Sequence, residues 1–475
     1  MVAKLKPYSA YRDSGVPWLG EVPAHWETNR AKGLFRKMER PVKDSDEVIT
    51  CFRDGIVTLR KNRRVRGFTE SLKEIGYQGV LRGDLVIHAM DAFAGAAGVS
   101  DSDGKGTSVY SVCTPLIESV DPYYYAFCVR EMARSEWILA LAKGIRERST
   151  DFRFAVFASQ IVPFPPLPEQ TAIVRFLDHA DRRIQRYIHA KQKLMALLEE
   201  QKQAIVHQAV TGQIDVRTGQ PYPAYKPSGV EWLGDVPAHW EVRRLKSLVK
   251  RIDQGVSPQA DNYLADGTAW GVLKAGCVNR GVFREGEHKR LPPDFVFDSA
   301  LAVTTGDVLV SRASGSAHLV GSVGRVSSLK YKLILSDKTF RPIFKQQIDP
   351  DFMVLAMNSR YYRQQVELAI SGAEGLANNL PLSSLRAFHF AVPAFDEQHN
   401  IVEHLQTSTN KLSTAATQAE REMALLHEYR TRLIADVVTG KLDVREAAAR
   451  LPDGEAKPKQ SDKAQDLIDA AYAER

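Results

Sequence analysis

The sequence predicts an α/β protein made by pseudo-twofold internal duplication: two mixed α/β domains separated by two long helices paired as an antiparallel coiled coil. Three observations predict it. One block near the start recurs in the middle, a longer helical block recurs at a similar offset, and the stretches between them carry short strand signals. With 475 residues the chain exceeds one ordinary core. Its 44% hydrophobic and 25% charged residues fit folded domains and exclude a disordered chain.

The first element is the repeated box. Residues 11–32 (YRDSGVPWLGEVPAHWETNRAK) match residues 225–246 (YKPSGVEWLGDVPAHWEVRRLK) at 15 of 22 positions, offset by 214. His25 and His239 are twins within V-P-A-H-W-E, which suits packing or capping better than catalysis. Trp18, Trp26, Trp232 and Trp240 read as anchors that fasten each insert to the repeated framework.

The second element is the helix. Residues 168–217 align without a gap on residues 396–445, offset by 228, sharing E-Q at the start, M-A-L-L in the body and T-G-x-[IL]-D-V-R at the end. Apolar residues at Ile173, Leu177, Ala180, Ile184, Ile188, Leu194, Leu198, Ile205 and Ala209 recur at steps of mostly three, four or seven. Ile401, Leu405, Leu412, Ala416, Met423, Leu426, Leu433 and Val437 do the same in the second copy. That spacing is a coiled-coil seam. Pro166, Pro168 and Pro393 mark the starts, and Gly212 and Gly440 stand where a left-handed residue ends a helix. About 44 residues at 1.5 Å each give roughly 65 Å, longer than one domain of this size can cover. The two helices are therefore expected to pair with each other. The divisions that follow are 1–166, 167–217, 218–394 and 395–445, with 446–475 as a flexible tail.

The third element is the pair of inserts, about 33–165 and 247–393, which barely resemble each other in sequence. Gly83-Asp84-Leu85-Val86-Ile87 and Gly306-Asp307-Val308-Leu309-Val310 predict equivalent strands after a tight turn. Asp121-Pro122 and Asp349-Pro350 predict one capped helix in each insert. A duplicated framework with unlike inserts implies one task performed twice on two targets.

The 64 Lys and Arg against 57 acidic residues give a net charge of +7, which permits a polyanionic partner. Arg60, Lys61, Arg63, Arg64 and Arg66 cluster without an acidic residue between them, and Lys143, Arg146 and Arg148 form a second group. Both are candidate phosphate contacts. In the second insert the candidates are Lys289 and Arg290, the small-residue loop with Ser311, Arg312 and Ser314, and Asn378 and Asn379, whose amides can pair with adenine edges. A solvated surface accounts for any one of these runs about as well.

The four scattered cysteines suit a reducing cytosol and exclude a disulfide framework or a zinc site. No apolar run predicts a signal peptide or a membrane span, so a cytoplasmic chain is expected. Asp91-Ala92-Phe93-Ala94-Gly95 and Asp121-Pro122-Tyr123-Tyr124 mimic the cofactor and target-adenine loops of a DNA methyltransferase. A stand-alone adenine methyltransferase is thus an alternative, although a helix cap explains Asp121-Pro122 and its twin alike. A third alternative is a coiled-coil scaffold with no nucleic-acid role.

The motif order Y-x-x-S-G-V-x-W-L-G-x-V-P-x-H-W-E, variable region, P-E-Q, long helix, T-G-x-[IL]-D, stated twice from Tyr11 to Arg445, resembles the specificity subunits of Type I restriction–modification enzymes. The second copy has Asp396 where the motif's proline would stand. The resemblance implies that each insert is a target recognition domain reading half of a bipartite, asymmetric site on double-stranded DNA. It implies helices that set the spacer and dock two methyltransferase subunits, with restriction/translocase subunits joining the full complex. It also implies no catalysis and no cofactor in this chain, S-adenosylmethionine, ATP and Mg²⁺ being held by the partners.

Overall fold

The computed structural model describes residues 5–63, 75–141, 151–370 and 378–452. The chain forms two compact units, one drawn from Met1–Ala190 with Glu422–Arg475 and the other from Lys191–Arg421. The division crosses both long helices, Leu167–Val210 and Phe395–Val438, each of 44 residues. In the first unit Ile173, Phe176 and Leu177, near the start of the first helix, share a core with Leu433, Val437 and Val438 at the end of the second. Asp181 and Arg430 form an ion pair across the same two helices. In the second unit Val206, Ala209 and Val210 at the end of the first helix share a core with Ile401, Val402 and Leu405 near the start of the second. Each unit therefore contains an antiparallel helix pair.

The seam is not uniform. Leu194, placed in it by periodicity, is exposed, and no residue from 191 to 200 is buried. At the helix ends an insert and a repeated box add further apolar layers, so the same spacing there yields full burial. Gly212 and Gly440 have φ of +72° and +78°, and the amides of Gln213 and Lys441 reach back to the Gln208 and Asp436 carbonyls at 2.9 and 2.7 Å. This six-to-one bond is the helix stop that glycine permits.

The inserts, unlike in sequence, share a topology. In the first, strands Phe35–Lys37, Tyr110–Pro115, Leu85–His88 and Ala97–Val99 lie in that order in one antiparallel sheet. In the second, Val249–Gln254, Thr339–Phe344, Val308–Ser311 and Val323–Arg325 repeat the order and the antiparallel sense. Alternating apolar strands need only β-branched or aliphatic residues, so one sheet can be written in two unrelated ways. The structure also corrects the expectation of a single helix per insert. The first has helices Pro122–Arg134, Trp137–Leu141 and Phe154–Ser159, and the second has Pro350–Ala356, Arg360–Ala369 and Leu382–Ala387. The expected caps are in place: Asp121 accepts from the Tyr123 amide at 2.9 Å and Asp349 from the Asp351 amide at 2.8 Å.

Each insert leaves and re-enters the framework through one antiparallel strand pair. Glu27–Arg30 pairs with Ile161–Phe164, and Glu241–Arg244 pairs with His389–Val392. The chain also does not leave the fold at residue 445. A short helix, Arg445–Ala449, follows, with Ala448 buried in the first unit's core. The expected flexible tail is thus packed at its start, and its remainder from residue 453 lies outside the described residues.

Candidate nucleic-acid interface

Any reading surface on the inserts is held by the framework, and the E-Q signature is what holds it. Glu169 is buried and accepts hydrogen bonds from the Tyr8 hydroxyl, from His25 Nε2 at 2.9 Å and from Trp26 Nε1 at 3.0 Å. Glu397 takes the Tyr222 hydroxyl at 2.7 Å and His239 Nε2 at 2.9 Å. A buried carboxylate needs this many donors to offset its lost hydration. Burial, and then the bond to Glu169, push the Tyr8 hydroxyl well above its ordinary range, and burial and Glu397 do the same to Tyr222. Both phenols therefore stay protonated as donors.

The adjacent glutamines tie in the inserts. Gln170 accepts from the Asp121 amide at 2.9 Å and donates to the Ser119 and Pro165 carbonyls at 3.0 and 2.8 Å. Gln398 accepts from the Asp349 amide at 2.8 Å and donates to the Gln347 and Pro393 carbonyls at 3.1 and 2.9 Å. Each glutamine therefore bonds both to the chain entering its insert helix and to the chain entering its long helix. The histidine twins are framework residues, as their repetition suggested. Trp26 and Trp240 are buried anchors and Trp18 nearly so, whereas Trp232 is 38% exposed and does not fasten its unit as Trp18 does.

The two Gly-Asp turns serve a further shared purpose that the sequence did not disclose. Asp84 binds Arg40 and Thr114 and accepts from the Leu81 amide, while Asp307 binds Arg341 and accepts from the Thr304 amide. Arg341 also bridges to Asp253 at 2.8 Å. Burial raises the Asp253 carboxyl, but the hydrogen bonds from Arg341 and Arg251 outweigh it and hold the group below its ordinary value. The partner arginines lie 44 residues before Asp84 and 34 after Asp307, so no local motif announces the pairing.

After each of these central strands the chain makes a short helical turn, Ala92–Ala94 in the first insert and Ala317–Leu319 in the second. In the second insert this region is built up by a two-residue ladder, Ala313–Ser314 against Asn378–Asn379. The structure thus brings together Arg312, Ser314, Asn378 and Asn379, which the sequence offered as two separate loops. The Arg312 guanidinium donates to the Asp337 carbonyl at 2.9 Å and lies 5.9 Å from the Phe340 ring centre, so it is braced in place. Ser311 departs from expectation: it is fully buried as part of the central strand, with its hydroxyl away from any surface. Lys289 and Arg290 lie on a different sheet, with Arg290 bound to Asp266 at 2.8 Å and stacked on Tyr263.

In the first insert Arg60 and Lys61 sit on a 3₁₀ turn after strand Val57–Leu59, and Arg63 follows it. Folding supplies the acidic partners missing from the local sequence. Lys61 pairs with Glu47 at 2.5 Å, and Arg63 pairs with Asp54 at 2.6 Å while stacking on Phe52 at 4.5 Å. Arg64, Arg66, Lys143, Arg146 and Arg148 lie outside the described residues.

The methyltransferase-like motifs are used for folding. Asp91 pairs with Arg53 at 3.0 Å ahead of a turn closed by left-handed Gly95. Tyr124, the motif's final tyrosine, is fully buried, so its ring is not free to stack on a base, whereas Tyr123 is exposed on the capped first turn of the insert helix. Among the described residues no group of three or more acidic, histidine or cysteine side chains could hold a metal, and no helix is long and apolar enough to cross a membrane.

Residues 237–421 match the family model described as the Type I restriction modification DNA specificity domain. The EcoEI specificity subunit of Escherichia coli is 28% identical over 174 residues, a stretch covering 36% of this chain and 29% of that protein. The putative MjaX specificity subunit of Methanocaldococcus jannaschii is 20% identical over 446 residues, covering 90% of this chain and 96% of that one. A chain from a solved structure concerning complex assembly in the type I R-M system superposes with a TM-score of 0.62 at 14% identity, covering 89% of this chain and 99% of that chain. At that identity the likeness establishes the fold.

Proposed function

We propose, because the chain belongs to the specificity subunits of Type I restriction–modification enzymes, that it is the DNA-reading adaptor of such a complex. Each insert reads one half of a bipartite, asymmetric site on double-stranded DNA. The two long helices set the spacing between the halves and dock two methyltransferase subunits, and restriction/translocase subunits complete the assembly. The chain contributes recognition and no bond-making of its own, with S-adenosylmethionine, ATP and Mg²⁺ bound by the partners.

The observation that carries this reading is the pairing of one repeated framework with two inserts of common topology and unlike surface. One sheet order is accompanied by a basic 3₁₀ turn in the first insert and by an asparagine- and serine-lined ladder in the second. Cations there supply salt-dependent attraction to phosphates, and amides and hydroxyls supply base contacts. Arg60, Lys61, Arg63, Arg64, Arg66, Lys143, Arg146 and Arg148 serve the first half-site, and Arg312, Ser314, Asn378 and Asn379 the second, flanked by Lys289 and Arg290. Methylome sequencing of a host expressing this chain with its methyltransferase subunits tests the reading. A split, non-palindromic methylated motif is expected. Methyl transfer to DNA by the purified chain alone would instead favour the stand-alone enzyme.

A further inference from the structure

The second insert builds a braced turn where the first has a simple one. Residues 312–322 join strand Val308–Ser311 to strand Val323–Arg325, and residues 89–96 make the same connection in the first insert. The first turn is closed on itself, the Asp91 carbonyl taking the Ala94 amide at 2.9 Å. The second is longer and is held from behind by the helix Arg360–Ala369. Arg363 Nη1 donates to the His318 and Val320 carbonyls at 3.1 and 2.6 Å, and the Tyr362 hydroxyl donates to the Gly321 carbonyl at 2.9 Å. Glu367, one turn along the helix, lies 3.4 Å from Arg363 Nε. Gly321 has a φ of +79°, and a Cβ there would stand 2.8 Å from Val366, so the turn packs directly on the helix. At the near end the Arg312 carbonyl accepts from the Leu380 amide at 2.8 Å, and Ser314 Oγ accepts from the Ser316 amide at 3.2 Å.

This bracing leaves Ala317 and His318 exposed, in the same short connection as Ser314 of the ladder. Among the described residues no hydrogen bond or ion pair engages the His318 ring. Its backbone is thus fixed while its side chain is unengaged, an arrangement that lowers the ordering cost of binding. We infer that His318 is a specificity-determining residue of the second half-site, donating its ring N–H to a purine N7 in the major groove, and that Arg363 is the positioning residue behind it. The inference rests on the adaptor reading and narrows it to one side chain and one atom of the target. A neutral imidazole has a single N–H donor and one acceptor nitrogen. Purine N7 is an acceptor on adenine and guanine alike, while cytosine offers only a donor on that edge. One N–H therefore favours a purine over cytosine without separating adenine from guanine. The corresponding turn of the first insert carries Ala92, Phe93 and Ala94, with no side-chain donor, in keeping with a different half-site.

The test uses the full chain reconstituted with its methyltransferase subunits, and duplexes carrying the methylated motif found in the host. In the half-site that survives exchange of residues 33–165, purines are replaced one at a time by 7-deaza analogues, which lack the N7 acceptor and keep the pairing edge. At one position the analogue is expected to weaken binding of the parent about fivefold, the loss of one hydrogen bond, and to leave binding of His318→Ala unchanged. His318→Ala should itself bind the unmodified duplex about fivefold more weakly, with unaltered thermal unfolding because the ring is exposed. Arg363→Met should shrink the 7-deaza effect and Arg363→Lys should retain it, since one ammonium can serve both carbonyls. A 7-deaza effect of equal size in the parent and His318→Ala at every purine, or none in the parent, overturns the role of His318. An effect undiminished in Arg363→Met overturns that of Arg363. Either result leaves the adaptor reading intact while the parent complex prefers its split motif to a scrambled duplex, and a parent without that preference overturns both.

Discussion

At the scale of single residues the twin glutamates are the most consequential side chains outside the inserts. Truncation of Glu169 to alanine leaves the buried Tyr8 hydroxyl and Trp26 indole N–H without an acceptor, as well as freeing His25. Each stranded buried donor costs about 1–3 kcal/mol, so a loss of roughly 3 kcal/mol is expected in urea unfolding. Glu397→Ala should cost about 1 kcal/mol less, because Trp240 Nε1 makes no hydrogen bond in the native state and has none to lose. A second residue-level prediction concerns acid. Hydrogen bonds from Arg445 hold the Asp443 carboxyl below its ordinary value, and Arg217 does the same for Asp215. A depressed carboxyl stabilises the fold above its unfolded pKa of about 3.9 and loses that contribution as pH falls through the lower folded value. Tryptophan fluorescence across pH 5 to 2 should show Asp443→Asn with a shallower stability loss in this window than the parent. An equal slope in both proteins would remove Asp443 from the account.

At the scale of elements the helix stops are fixed by packing as well as by backbone conformation. A Cβ on Gly440 would stand 2.4 Å from Pro23 Cδ, and one on Gly212 would stand 2.4 Å from Pro237 Cδ. Together with the positive φ, this predicts that Gly440→Ala destabilises by at least about 2 kcal/mol, read as a lowered urea midpoint, and that asparagine, which tolerates the left-handed conformation, does not rescue it. The long helices, their proline-marked starts and these stops were legible because each depends on neighbours within one or two turns. The Asp-Pro caps were legible for the same reason. The insert sheets were not: their order depends on contacts such as Asp84 with Arg40 and Asp307 with Arg341, which span different distances along the chain. The pairing of Ser314 with Asn378 was equally hidden, since 64 residues separate two short polar loops. Even the basic run at Arg60–Arg63 could be read only halfway, because Glu47 and Asp54 approach it through the hairpin.

At the scale of the molecule the repeated framework predicts modular behaviour. Replacing residues 33–165 by another insert of the same topology should change one half of the methylated sequence and leave the other half unaltered, as methylome sequencing would report. Change in both halves, or in neither, would contradict independent reading. Raising salt should lower DNA affinity of the reconstituted complex steeply, and Lys61→Ala should flatten that dependence by about one unit of log–log slope if Lys61 meets a phosphate.

The strand pair at the mouth of each insert carries a polymer-physics corollary. Glu27–Arg30 beside Ile161–Phe164, and Glu241–Arg244 beside His389–Val392, hold the two ends of each excursion at the separation of neighbouring strands. Closing a loop through such a gate grows in cost only with the logarithm of its length, about 0.6 kcal/mol for each doubling. The host scaffold is therefore nearly indifferent to how much polypeptide passes through either gate, and lineages can lengthen, shorten or exchange what lies beyond it without renegotiating the stability of the rest.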